Sequence, residues 1–141
     1  MNVENRVHPE QEQIKALLGN ATAGPVVMVN LLKFRAQAEY EDGRDTDLSG
    51  REAYFLYGSR MREIVEAGGG RFVSGGPVLG LMIGKVEEVW DFIGLVEYPS
   101  KQAFIEIVSQ PEVAEISVHR KAGLAGQLLI PITETWEQAT Q

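Results

Sequence analysis

The order of predicted elements is β-α-β-β-α-β after a short leading helix, which specifies an α+β chain with one antiparallel sheet. Three observations carry this. Two strand-sized runs, from Val26 to Phe34 and from Val89 to Tyr98, are apolar on both alternating faces, as strands in the middle of a covered sheet are. Two others, from Arg71 to about Gly84 and from Gly126 to about Trp136, are interrupted by Gly75-Gly76-Pro77 and by Pro131, which suits edges or bulges. Between the strands lie amphipathic stretches with helix-start signals.

Each element follows from local chemistry. Residues 1–8 are polar and expected to be loose. Pro9 suits the first turn of a helix, and Ile14, Leu17 and Leu18 follow at i, i+3, i+4 until Gly19-Asn20 stops it. Gly24-Pro25 leads into the first strand, with Val27, Val29 and Leu31 on one face and Met28, Leu32 and Phe34 on the other. Asn30 interrupts the second set, and a buried amide must find hydrogen-bond partners or a wet cavity. The segment 35–50 is a polar loop carrying Glu39, Glu41, Asp42, Asp45 and Asp47. It lacks the spacing and terminal glutamate of a calcium-binding loop and reads as solvated.

Ser49-Gly50-Arg51-Glu52 is a capping box that starts a helix at about Gly50. Tyr54, Tyr57, Met61, Ile64, Val65 and Gly68 mark its apolar stripe, Arg60, Arg62, Glu63 and Glu66 face water, and Gly68-Gly69-Gly70 ends it. The second strand follows, kinked at Gly75-Gly76-Pro77, and the third is closed by Pro99. Ser100 caps a helix whose buried side is Ala103, Phe104, Ile107 and Val108. Ser109-Gln110-Pro111-Glu112 reads as another capping box, restarting the helix through Val113, Ile116 and Arg120 to Gly123.

Composition narrows the possibilities. The chain of 141 residues is expected to form a single domain over 1–141, with an N-terminal extension over 1–22 and the body over 23–136. An apolar share of 44% is that of a soluble globular protein, and the apolar runs are too short and interrupted to span a membrane. The absence of cysteine excludes disulfides, thiolate metal sites and cysteine nucleophiles. A net charge of −7 without a basic cluster argues against a nucleic-acid partner. With no signal peptide, the cytoplasm is the default compartment.

The split β-α-β order is the ferredoxin-like pattern, with the first and third strands central and the second and fourth at the edges. Its helices cover one sheet face only. The other face is also apolar, and leaving it in water would expose more area than monomers usually tolerate, so a homodimer is expected. Asn30-Leu31-Leu32-Lys33-Phe34, Ser49-Gly50-Arg51-Glu52-Ala53-Tyr54, Gly69-Gly70-Arg71-Phe72, Val96-Glu97-Tyr98-Pro99-Ser100 and Pro111-Glu112 through His119-Arg120 occur in the order of a known family. Over most of its length the chain resembles domain-of-unknown-function family 1330, within the dimeric α+β barrel superfamily. Val113 departs from it, standing where an aromatic is expected after Pro-Glu. The resemblance implies the fold and a dimeric α+β barrel, and no activity. Related barrels include monooxygenases, isomerases and haem-degrading enzymes, so catalysis is open by analogy only.

The candidate catalytic residues are Asn30, able to orient a ligand oxygen, and Glu97, able to act as a base at the end of the third strand. The plainer alternative for Glu97 is a pair with Lys33 or an arginine. Trp90 and Tyr98 share one face of the third strand with Phe92, and Tyr54 and Tyr57 lie on the buried helix stripe. All four serve either as core or as the lining of a ligand cavity. His119 is spaced to pair with Glu115, and Arg120 can hold a carboxylate bidentately. Ligand-binding candidates are therefore Tyr54, Tyr57, Trp90, Tyr98, Arg120, His119 and Lys33. Two distant histidines make no metal site, and no cofactor is expected. The first functional reading is a small-molecule binding protein, with a cofactor-free enzyme as its extension. The alternative is a dimerisation module without catalysis. A lower alternative is a haem-binding or haem-degrading barrel built on Asn30, Trp90 and His119.

Overall fold

The computed structural model describes residue 4 and residues 6–133. Its elements are α1 (Gln11–Gly19), β1 (Val26–Phe34), α2 (Gly50–Ala67), β2 (Arg71–Pro77), β3 (Phe92–Tyr98), α3 (Lys101–Val108), α4 (Pro111–Gly123) and β4 (Leu124–Ile132). The strands form one antiparallel sheet in the order β2-β3-β1-β4, the ferredoxin-like arrangement with β1 and β3 central. Among the described residues no helix is long and apolar enough to cross a membrane.

Alternation along β1 decides where the core lies. Val26, Met28 and Leu32 are buried on the inner face. Val26 and Met28 join Val96 and Tyr98 of β3 in packing against Met61, Ile64 and Val65 of α2, Ile107 of α3 and Val113 of α4. Val27, Val29 and Leu31 point the opposite way. Across the sheet they stand between Glu97, Leu95 and Ile93 on β3 and Ile132, Ile130 and Leu128 on β4. Ile93, Ile130 and Ile132 are exposed, so this outer face is apolar and open to water in the single chain.

The helix caps separate correct from incorrect expectations. Ser49 Oγ accepts from the Glu52 amide at 3.0 Å and Glu52 Oε1 accepts from the Ser49 amide at 2.9 Å, so the box that starts α2 is complete. Ser100 Oγ likewise accepts from the Ala103 amide at 3.0 Å. The box expected at Ser109 does not form: Gln110 is the N-cap of α4 and Ser109 is the C-cap of α3. Pro111 is the cause, because the residue before a proline is excluded from helical geometry, and Gln110 is accordingly extended. For α1 the N-cap is Glu10, which leaves Pro9 before the helix rather than in its first turn.

Further expectations are corrected. The second strand ends at Pro77 instead of continuing to Gly84, and its register shift lies between Phe72 and Ser74 rather than at Gly75-Gly76-Pro77. Gly80 and Gly84 adopt φ of 147° and 90°, which breaks the extended path and leaves Leu79, Met82 and Ile83 almost fully exposed. The third strand begins at Phe92, so Trp90 sits in the preceding loop and not on the strand face with Tyr98. The 35–49 loop is not solvated throughout. Ala38 and Tyr40 are buried with Ala53 and Ala122, and the Ala38 and Glu39 amides donate to Leu48 and Ala122 carbonyls, each at 3.0 Å. The last strand starts at Leu124, earlier than expected, and the expected stretch 134–136 lies outside the described residues.

Candidate functional site

The inner sheet face and the helices do not close on one another completely. A cavity of about 620 Å³ remains between them, lined mainly by apolar groups including Met28, Val96, Phe72, Phe104 and Val113. That size is usual for a small-molecule site. Three of its polar side chains form a connected line. Asn30 Nδ2 donates to the Met28 and Gly94 carbonyls at 3.2 and 3.3 Å, and Asn30 Oδ1 accepts from Gln127 Nε2 at 2.8 Å. Gln127 Oε1 in turn accepts from Arg120 at 2.6 Å. Each amide is oriented by the next, so the Arg120 guanidinium is held from behind. Its one hydrogen-bond partner among the described residues is Gln127, which leaves further N–H donors on a cation lining a mostly apolar cavity.

Tyr54 and Tyr57 of α2 and Tyr98 of β3 line the same space. Tyr98 is buried, and Tyr54 and Tyr57 are half-buried against the cavity. Burial pushes the Tyr54 phenol well above its usual range, with Tyr57 adding and the Arg120 charge opposing. Burial also raises Tyr57, again against Arg120, and it raises Tyr98 with help from Tyr57 and Tyr54. All three are neutral phenols at physiological pH and available as hydrogen-bond donors. The Tyr54 and Tyr57 rings stack tilted at 5.6 Å, and Tyr98 meets Phe104 edge-on at 4.9 Å.

Of the residues singled out from sequence, the fold brings Asn30, Tyr54, Tyr57, Tyr98 and Arg120 together. It takes the others elsewhere. Glu97 does not join Asn30: it pairs in register with Val27, on the outer face, and binds Arg71 at 2.8 Å. The period of two along a strand is the reason, since Asn30 is opposite Gly94 and an odd step separates Gly94 from Glu97. Lys33 donates to the Val89 carbonyl at 3.0 Å and pairs with Glu88 at 3.1 Å, in the loop before β3. The hydrogen bond to Glu88 raises its pKa, burial opposes, and Asp91 adds to the rise. His119 does not use Glu115. Its Nδ1 lies 2.7 Å from the Tyr40 hydroxyl, with the rings edge-on at 5.6 Å, and burial followed by the Arg44 charge lowers its pKa. Trp90 and His119 both lie outside the cavity lining, so the Asn-Trp-His set of a haem barrel is not assembled. Among the described residues no group of three metal-ligating side chains gathers.

Gln127 and His8 are among the cavity residues that escaped the sequence reading. Gln127 is 7% exposed and stands alone as a polar side chain in an apolar strand, the same signal that singled out Asn30. His8 carried no signal, because only the folded chain brings it to the cavity.

An antiparallel β2-β3-β1-β4 sheet with helices on one face, and a cavity between the two layers, defines a ferredoxin-like α+β protein. Two solved structures share the fold at low identity. One is the dabb family protein with a ferredoxin-like fold from Mesorhizobium loti, at 13% identity and a TM-score of 0.51 over 79% of this chain and 98% of that one. The other is a dimeric ferredoxin-like protein of unknown function from Thermobifida fusca, at 16% identity and a TM-score of 0.51 over 82% and 97%. The chain belongs to the family of RPA0582, a protein of unknown function from Rhodopseudomonas palustris. It matches that protein with 32% identity and a TM-score of 0.83, over 94% of this chain and 98% of the other. The methylated form of RPA0582 matches at 34% identity and a TM-score of 0.83, over 93% and 96%. No protein-family model matches the chain, and neither does any curated protein.

Proposed function

We propose that the protein binds a small organic acid with an apolar body, its carboxylate on Arg120 and its body among the aromatic and aliphatic walls. One observation carries this reading: Arg120 lines an otherwise largely apolar cavity, oriented through Gln127 and Asn30, without a carboxylate partner among the described residues. A half-buried cation without a counter-charge loses part of its hydration, and a bound carboxylate offsets that loss with bidentate geometry. Neutral Tyr54 and Tyr57 supply further donors to the same acid. The same phenols are hydrogen-bond donors to an oxyanion, which is the chemistry open to a cofactor-free enzyme on this site.

We also infer a homodimer through the outer sheet faces, and with it membership of the family 1330 barrels. The exposed Ile93, Ile130 and Ile132 support this, as does the dimeric state given for the Thermobifida fusca protein. The dimer and the cavity use opposite faces of the sheet, so the two readings coexist.

Thermal shift and calorimetry with octanoate, 3-phenylpropionate and 2-hydroxybenzoate, each beside its amide, test the cavity. The acids should stabilise the protein and the amides should not. Arg120→Gln should weaken acid binding about tenfold or more, the loss expected for a charge-assisted contact. Equal effects of acids and amides, or no effect of any acid, would refute the reading.

A further inference from the structure

A further titratable group of the cavity, close enough to Arg120 to feel its charge, arrives from the opposite end of the chain. Arg6 forms an antiparallel bridge with Gln127 on the free edge of β4. The residues that follow, Val7, His8 and Pro9, then line the cavity. The strap is thus tied by its backbone to the residue whose side chain orients Arg120. His8 is exposed at the mouth rather than packed into the core.

We infer that His8 is a second anion-binding group of this cavity, which takes up a proton when an acid binds and holds the acid's carboxylate together with Arg120. This rests on the acid-binding reading above and adds to it a proton, a residue and a coupling to pH. The charged groups that face His8 from the elements around it are Lys121 and Arg120 of α4 and Glu41 of the 35–49 loop. On its own segment, Arg6 is engaged by Glu4 and Glu10. In the empty cavity the balance is unfavourable to an imidazolium. Partial loss of solvent at the cavity edge, then Lys121, then Arg120 hold the His8 pKa below 6.5, and Glu41 only partly offsets them. A carboxylate bound at Arg120 places a negative charge at the mouth and reverses that balance.

Binding an anion raises the His8 pKa, so binding takes up a proton between the free-state and bound-state values. Affinity for acids therefore rises as pH falls through the bound-state pKa and levels off below the free-state one. A neutral analogue has no such dependence. The class of ligand is a monoanionic acid whose head stays at the mouth, between His8 and Arg120, while its apolar body fills the interior.

The chain contains two histidines, so proton-detected NMR of the imidazole carbons follows both without ambiguity, with His8→Gln assigning the pair. The full-length protein is titrated between pH 5 and 8 alone and with each of octanoate, 3-phenylpropionate and 2-hydroxybenzoate. His8 should titrate below 6.5 in the free protein and move up by about one pH unit with acid, while His119, against Tyr40, stays in place. One unit corresponds to an acid affinity weakened for His8→Gln by up to about tenfold, approached as pH falls below the free-state pKa, with little change at pH 8. If the acids bind through Arg120 but leave the His8 titration unmoved, this inference is overturned and the cavity reading stands. If none of the acids binds, both fall.

Discussion

At the scale of the residue, the polar line through the cavity is a chain of donors and acceptors that ends on Arg120. Asn30 uses its amide nitrogen on two backbone carbonyls and its oxygen on Gln127, and Gln127 uses its own oxygen on Arg120. Removing one member leaves the next without a partner, and an unsatisfied buried amide costs more than a hydrogen bond contributes. Asn30→Leu should therefore lose about 1–3 kcal/mol of stability, through the stranded Gln127 amide. The double variant with Gln127→Leu should lose less than the sum of the singles, because the group that Asn30→Leu strands is gone. Urea unfolding of the four proteins measures this. Strict additivity would mean that the two amides do not act as a unit. Asn30 was legible in the sequence as a lone amide in an apolar strand, and the same rule applied to β4 reaches Gln127.

At the scale of the element, the close crossing of α2 with the α4–β4 junction holds the helical layer together. A Cβ built on Gly50 would lie 2.1 Å from the Arg35 carbonyl oxygen, and one on Gly123 would lie 2.3 Å from the Gly50 oxygen and 2.7 Å from the Tyr54 nitrogen. These neighbours are backbone, so no rotamer change makes room. The Arg35 amide also donates to the Gly123 carbonyl at 2.8 Å, which joins the end of β1 to the same crossing. Gly123→Ala should cost about 2 kcal/mol or more in denaturant unfolding, as overpacking at a tight contact does. Gly76→Ala, where a Cβ meets nothing within 4 Å, is the control, and an equal cost at both would show that the crossing tolerates separation. From sequence, Gly123 was legible only as a helix stop. Its contact is with residues far along the chain, and no local pattern records that.

For the whole molecule the decisive feature is a sheet with two apolar faces and helices on one. The outer face of β1, β3 and β4 amounts to several hundred Å², roughly what each partner buries in a stable dimer. The parity of β1 now assigns each side chain to a face. Met28 is 2% exposed beneath the helices, whereas Val29 lies on the open face between Leu95 and Ile130. Val29→Glu should leave a folded monomer, and Met28→Glu should fail to fold, since it buries a charge without a partner. Light scattering with circular dichroism separates the outcomes. An unmutated protein with the mass of one chain would refute the dimer.

The sequence by itself determined the class of fold and most element positions, because those depend on short-range signals: period-two runs, capping residues, glycine and proline. Strand order was legible too, since apolarity on both faces marks a central strand and Pro131 an edge. Local reading misled where a neighbour outweighed a motif. Pro111 displaced a cap at Ser109, and Gly80 and Gly84 ended a run whose composition favours extension. Trp90 followed, losing its place on the strand once the strand began at Phe92. Only the tertiary structure decided which residues share a cavity. Asn30 and Glu97 are both polar residues on neighbouring apolar strands, and the antiparallel register sends them to opposite faces. Arg120, Gln127 and His8 come from a helix, an edge strand and the leading segment, and they meet through long-range packing and pairing. Sequence periodicity reports which side of an element is apolar. It carries no information on which polar groups from distant elements arrive on that side together.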